Sequence, residues 1–138
     1  MSDIEIIYIG DLRTKAEHLK SGVVWNTDAP VDNMGKGESF SPTDMLATAL
    51  GSCMLTIMGI KANQHNLDIK NTKVEVRKKM GENPRMISKI ELKIIFANDI
   101  EIKYRKLLER AAHQCPVSKS IHPNIDESVE FIYSGDCK

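Results

Sequence analysis

The stretch from Ser41 to Ile60 constrains the fold more than any other part of the chain. It reads as one long, mostly apolar helix that carries a cysteine. Ser41 suits the N-cap, because its hydroxyl can accept an otherwise unpaired N–H of the first turn. Pro42 follows at the first helical position, where its missing N–H removes no bond. Asp44 completes an S-x-x-D pattern and sets negative charge at the positive end of the helix dipole. Leu46, Ala49, Leu50, Cys53, Met54, Ile57 and Met58 recur at steps of three and four and form an apolar stripe that includes Cys53. The remaining faces are only weakly polar, and a helix apolar nearly all round is expected to be buried nearly all round. Ala47, Ala49, Gly51 and Ser52 are small enough to admit another backbone. Cys53 is therefore expected deep in a core or at a subunit interface, with the helix ending near 63–66.

A chain of 138 residues is long enough to enclose such a helix in one domain, 1–138. Nineteen basic and nineteen acidic residues cancel, so no net field favours nucleic acid or an anionic membrane as partner. The N-terminus lacks a basic region followed by an apolar one, and the apolar run 54–60 is interrupted and short for a bilayer. A cytoplasmic location is the expectation. The cysteines at 53, 115 and 137 form no C-x-x-C pair, which argues against a disulfide framework and a structural zinc site. His18, His65, His113 and His122 show no metal-ligand spacing, and Gly35-Lys36-Gly37 is too short for a phosphate loop. No metal and no cofactor are expected.

The first part of the chain reads as a meander of strands at 4–9, 12–18 and 23–25, since its connections are too short for crossovers. Residues 27–40 hold two glycines, a proline and several turn formers, and read as a loop of the length that is often functional. Beyond the long helix, 67–79 and 86–96 alternate in polarity around Gly81-Glu82-Asn83-Pro84 and predict a hairpin. Asn98 or Asp99 is expected to cap a helix over 99–114, with Tyr104, Leu107, Leu108, Ala111, Ala112 and Cys115 on its apolar side. Pro116 ends it and opens a short helical turn, and 127–133 supplies a last strand.

Cys53 and Cys115 both lie on apolar helical stripes, so packing alone would account for them. Two observations weigh the other way. Cys115 stands at a helix end before Pro116, where thiols are often reachable, and the two stripes suit helices packed with their thiols together. Cys137 is expected to be an exposed spectator.

Pro42-Thr43-Asp44-Met45-Leu46, followed by Ala47, Ala49 and Cys53, resembles the N-P-E-E/Q-L helix of the OsmC/Ohr family. Cys115-Pro116-Val117-Ser118 resembles the C-P-V-S element of the same family, and the cysteines stand 62 positions apart in an element order that fits it. The resemblance implies an α+β, OsmC-like fold, with antiparallel sheets packed on two main helices in an intertwined homodimer. It also implies a thiol-dependent peroxidase acting on a small organic hydroperoxide. Cys53 would become a sulfenic acid, Cys115 would resolve it as a disulfide, and a dithiol or lipoyl-type reductant would restore both thiols. The family sets an arginine beside the reactive thiol and a glutamate to hold it. Arg13 is the favoured cation here, with Lys36 and Arg85 as alternatives. The glutamate falls on Thr43, which cannot pair with a cation. Asp44 follows it with a capping role of its own, and Glu38 could substitute. The departure at Thr43 leaves a second reading open, a non-catalytic dimer of the same fold that binds a small apolar ligand at its interface.

Overall fold

The computed structural model describes residues 1–136, so Cys137 lies outside the described residues. Contacts divide the chain into two compact units, Met1–Leu46 and Ala47 onward.

The first unit is a three-stranded antiparallel meander of β1 (Ile4–Gly10), β2 (Arg13–His18) and β3 (Val24–Asp28) in that order. The β1–β2 turn places Gly10, Asp11 and Leu12 at φ of 88, 54 and 61°. This left-handed geometry matches the twist of a tight hairpin. β3 runs three residues further than the sequence suggests. Asn26, Thr27 and Asp28 are turn formers by composition, but they pair with Lys15, Thr14 and Arg13 across the sheet. Tertiary pairing thus overrides weak strand propensity. Residues 29–40 are irregular apart from a 3-10 turn at Val31–Asn33 and a bridge from Phe40 back to Thr27.

α1 (Pro42–Gln64) begins with a reciprocal capping box. The Asp44 N–H donates to Ser41 Oγ at 3.0 Å, and the Ser41 N–H donates to Asp44 Oδ2 at 3.0 Å. The helix ends where Asn66 turns to φ 55° and the Leu67 N–H reaches back to the Ala62 carbonyl.

In the second unit, α1 buries Ala47, Leu50, Gly51, Met54, Met58 and Ala62. This corrects the expectation of burial on nearly every side, because Ala49, Ser52, Thr56 and Ile60 are exposed. By length and composition α1 would suffice to cross a membrane, which the interrupted run 54–60 did not suggest. Its apolar stripe instead enters a core with β5 (Met86–Ile95) and α2 (Ile102–Ala112), through Ile90, Leu92, Ile94 and Leu108. Gly51 permits close packing, since a Cβ there would meet Val76 at 3.2 Å and Val74 at 3.4 Å on β4 (Lys73–Gly81).

β4 and β5 form the expected hairpin, with Val76 opposite Leu92. β6 (Asp126–Ile132) then pairs with β5 in parallel, with Leu92 opposite Val129, so this sheet is mixed where antiparallel pairing was anticipated. α2 and α3 (Pro116–Ser120) intervene, and such a crossover lets the returning strand run in the same direction. α2 starts later than its sequence signals, with Glu101 as an N-cap that makes no side-chain cap bond. Asn98 is occupied elsewhere: its amide donates to the Asp68 carbonyl at 3.0 Å. The whole is an α+β architecture of two main helices and two small sheets.

Candidate active site

In the first unit the chemistry gathers around Arg13. Its Cα partner across the sheet is Asp28, and opposite charges facing each other on neighbouring strands attract. Arg13 Nη2 donates to Asp28 Oδ2 at 3.3 Å and to Glu38 Oε1 at 2.5 Å. Asp28 Oδ2 also accepts the Glu38 N–H at 2.9 Å, which ties the end of the loop to the strand. Two acceptors push the pKa of the guanidinium up, Asp28 more than Glu38. The Asp28 carboxyl is held below the usual carboxylate range. The largest cause is the Glu38 N–H, followed by Arg13 and the charge of Lys36, all working against desolvation. Asp28 is 1% exposed, whereas Glu38 is open to solvent. Among the described residues, Asp28 Oδ1 and Arg13 Nε find no hydrogen-bond partner. Both residues line a polar cleft of about 410 Å³ with Asn26, Thr27, Glu38 and Ser39.

The structure therefore brings Arg13 and Glu38 together, and Thr43 is not part of that cluster. Thr43 Oγ1 instead meets Ser41 Oγ at 3.1 Å. Lys36 is exposed on the loop, and Arg85 is exposed on the β4–β5 turn. Asp28 is the member of this cluster that the sequence does not announce. A third strand ending at Trp25 leaves Asp28 among polar loop residues, and no periodicity marks it.

In the second unit half-buried Cys53 packs against the hydrophobic core that contains Cys115. Both are free cysteines. Their exposures reverse the expectation. Cys53 is half-buried, because the buried stripe of α1 runs through Leu50, Met54 and Met58 and leaves Cys53 on its border. Cys115 is wholly buried, because the end of α2 turns inward beside Ala111 and Ala112. Cys115 also caps α3, and its sulfur accepts the Ser118 N–H at 3.5 Å. Burial pushes the Cys115 thiol pKa up, and Cys53 adds to that. The N–H groups of Ser118 and Val117 pull the other way. A half-buried thiol packed on the core that holds a buried one is an arrangement suited to oxidation at the first and disulfide formation with the second.

The OsmC-like protein family model matches residues 35–130. The chain belongs to the OsmC-like family. A solved OsmC-like relative from Psychrobacter arcticus 273-4, provisionally named an osmotic stress induced and detoxification response protein, is 50% identical. The match covers 95% of this chain and 96% of that one, with a TM-score of 0.92. The organic hydroperoxide resistance protein OsmC of Legionella pneumophila has the same fold at 15% identity, with 94% of each chain covered and a TM-score of 0.74. OhrB of Bacillus subtilis, an organic hydroperoxide resistance protein, is 17% identical, with 95% and 97% of the two chains covered and a TM-score of 0.67. No curated protein matches the OsmC-like chain by sequence.

Proposed function

We propose that this OsmC-like protein is a thiol-dependent peroxidase that reduces organic hydroperoxides. The observation that carries the reading is that half-buried Cys53 packs against the core in which Cys115 is wholly buried. Relatives of the same fold that are named for organic hydroperoxide resistance support the substrate class. Cys53 attacks as a thiolate on the terminal oxygen of ROOH. The O–O bond breaks, the alcohol leaves with a proton, and Cys53 becomes a sulfenic acid. Cys115 then attacks the Cys53 sulfur, the S–O bond breaks, and water carries off the Cys115 proton. A small dithiol or lipoyl-type reductant returns the disulfide to two thiols by exchange. By the family pattern we assign the role of the active-site cation to Arg13, which Asp28 and Glu38 hold in place. The working form is a homodimer, a reading supported by the exposed Ile4, Ile6, Ile7 and Ile9 of β1.

The test is intact-mass measurement after one equivalent of an alkyl hydroperoxide. Loss of two hydrogens, mapped to a Cys53–Cys115 disulfide, is the expected outcome. An unchanged mass, or scattered overoxidation, would favour the rival reading of a non-catalytic dimer with a small apolar ligand. Thr43 in place of the family's glutamate speaks for that rival.

A further inference from the structure

The peroxidase reading leaves one polar contact beside the thiols without a task. Ser118 Oγ donates to the carboxylate of Glu127, at 2.8 Å to Oε1 and 2.9 Å to Oε2. Both residues are half-buried. Glu127 sits on β6, where it pairs with Ile90 of the buried middle strand, so its backbone is well anchored. The same Ser118 offers its N–H to Cys115 Sγ. α3 spans five residues, and a helix of one turn has little stability of its own. Its position is therefore set by what anchors it: Val117 and Ile121 pack against the core, and Ser118 bonds to the sheet through Glu127.

We propose that Glu127 and Ser118 form a clamp that positions Cys115 for attack on the Cys53 sulfur, making both of them positioning residues for the resolving step. The chain of contacts runs from the β6 carboxylate to the Ser118 hydroxyl, then through the Ser118 N–H to the Cys115 sulfur. Without the clamp, the first turn of α3 loosens and the Cys115 sulfur samples more directions. Fewer of these lie in line with the bond being broken, and reactions of this kind are steeply sensitive to alignment. The first step, at Cys53, does not involve the clamp. The inference rests on the proposed roles of the two cysteines, but its test does not require a hydroperoxide.

In a Cys137→Ser background, the aromatic disulfide 5,5′-dithiobis(2-nitrobenzoate) separates the two steps. Attack by Cys53 releases one coloured thiolate and leaves a mixed disulfide. Attack by Cys115 on the Cys53 sulfur then releases the second, with the Cys115 proton lost to solvent. The expected result is an unchanged first phase and a second phase slowed about tenfold in Glu127→Ala and Ser118→Ala, the size of effect one charge-assisted hydrogen bond supports. Glu127→Gln keeps an acceptor and should recover most of the rate. Ser118→Thr and Ser118→Val differ mainly in the hydroxyl, so comparing them keeps the test decisive if an alanine variant fails to fold. Thr should resolve several-fold faster than Val. Equal second phases in that pair, or a first phase slowed as much as the second, would overturn the clamp. An unreactive parent in the hydroperoxide experiment would instead overturn the peroxidase reading and leave this measurement standing.

Discussion

The two compact units, each with a three-stranded sheet, solve different problems. The second encloses a core: Leu50, Met54, Met58, Ile90, Ile94 and Leu108 are wholly buried. In the first, the buried residues among those described are Thr27, Asp28 and Ser41, all polar, while the isoleucines of β1 face solvent. The second unit is thus held by apolar burial, and the first by pairing, caps and the Arg13–Asp28–Glu38 ion cluster. The chemistry divides in the same way. The thiols belong to the unit with the core, which can hold a sulfur still, and the Arg13–Asp28–Glu38 charges line the polar cleft of the first.

The largest test of this division is removal of the thiols. Cys53→Ser should consume no hydroperoxide. Cys115→Ser should react once and stop, leaving a sulfenic acid that a dimedone-type probe traps. A Cys115→Ser protein that fails at the first turnover, beside a Cys53→Ser protein that still consumes peroxide, would reverse the two roles.

The next contrast is in packing. Met54→Ala should cost about 2–5 kcal/mol in urea unfolding, the usual range for a wholly buried side chain cut back to a methyl. Ile6 is 67% exposed in the single chain, so Ile6→Asp should act on association and not on the core. Sedimentation at micromolar concentration should then show a dimeric parent and a monomeric variant. A stable folded monomer in the parent would break the dimer proposal.

Arg13→Ala sharpens the electrostatic side. Loss of the charge should slow Cys53 alkylation at neutral pH about tenfold, with the fold intact. An unchanged pH profile would pass the role to Lys36 or Arg85.

The smallest effects are in pH dependence, and the two units should differ in sign. The Asp28 pKa is lowered by folding, so its contribution is present above the unfolded value of about 4 and fades as pH falls below it. The Cys115 pKa is raised by folding, so its contribution is present below about 8.5 and fades as pH climbs past that value. Thermal melts of Asp28→Asn should lose the acid-side dependence, and those of Cys115→Ala the alkaline one. Glu91 is also lowered, by Lys79 first, but as a partly exposed surface pair it should add little.

The sequence by itself determined the elements and the family. Ser41, Pro42 and Asp44 announce the start of α1 because capping is local chemistry between residues three apart. The hairpin was legible through the alternation at 90–96, since a strand with one buried face must alternate. The paired motifs around Cys53 and Cys115 pointed to the OsmC-like fold. What only the tertiary structure decided were the relations between distant residues. Periodicity sets a stripe on a helix but not how far the neighbours reach around it, so the burial of Cys53 and Cys115 came out reversed. The parallel pairing of β6 depends on where the chain goes through α2 and α3, not on the residues of the strand. Asp28 joined the arginine cluster because strand register set it opposite Arg13, fifteen positions away, and Glu38 met both through a loop with no period to read. Local bonding rules write themselves into short spacings, whereas burial and register are settled by partners that the spacing does not name.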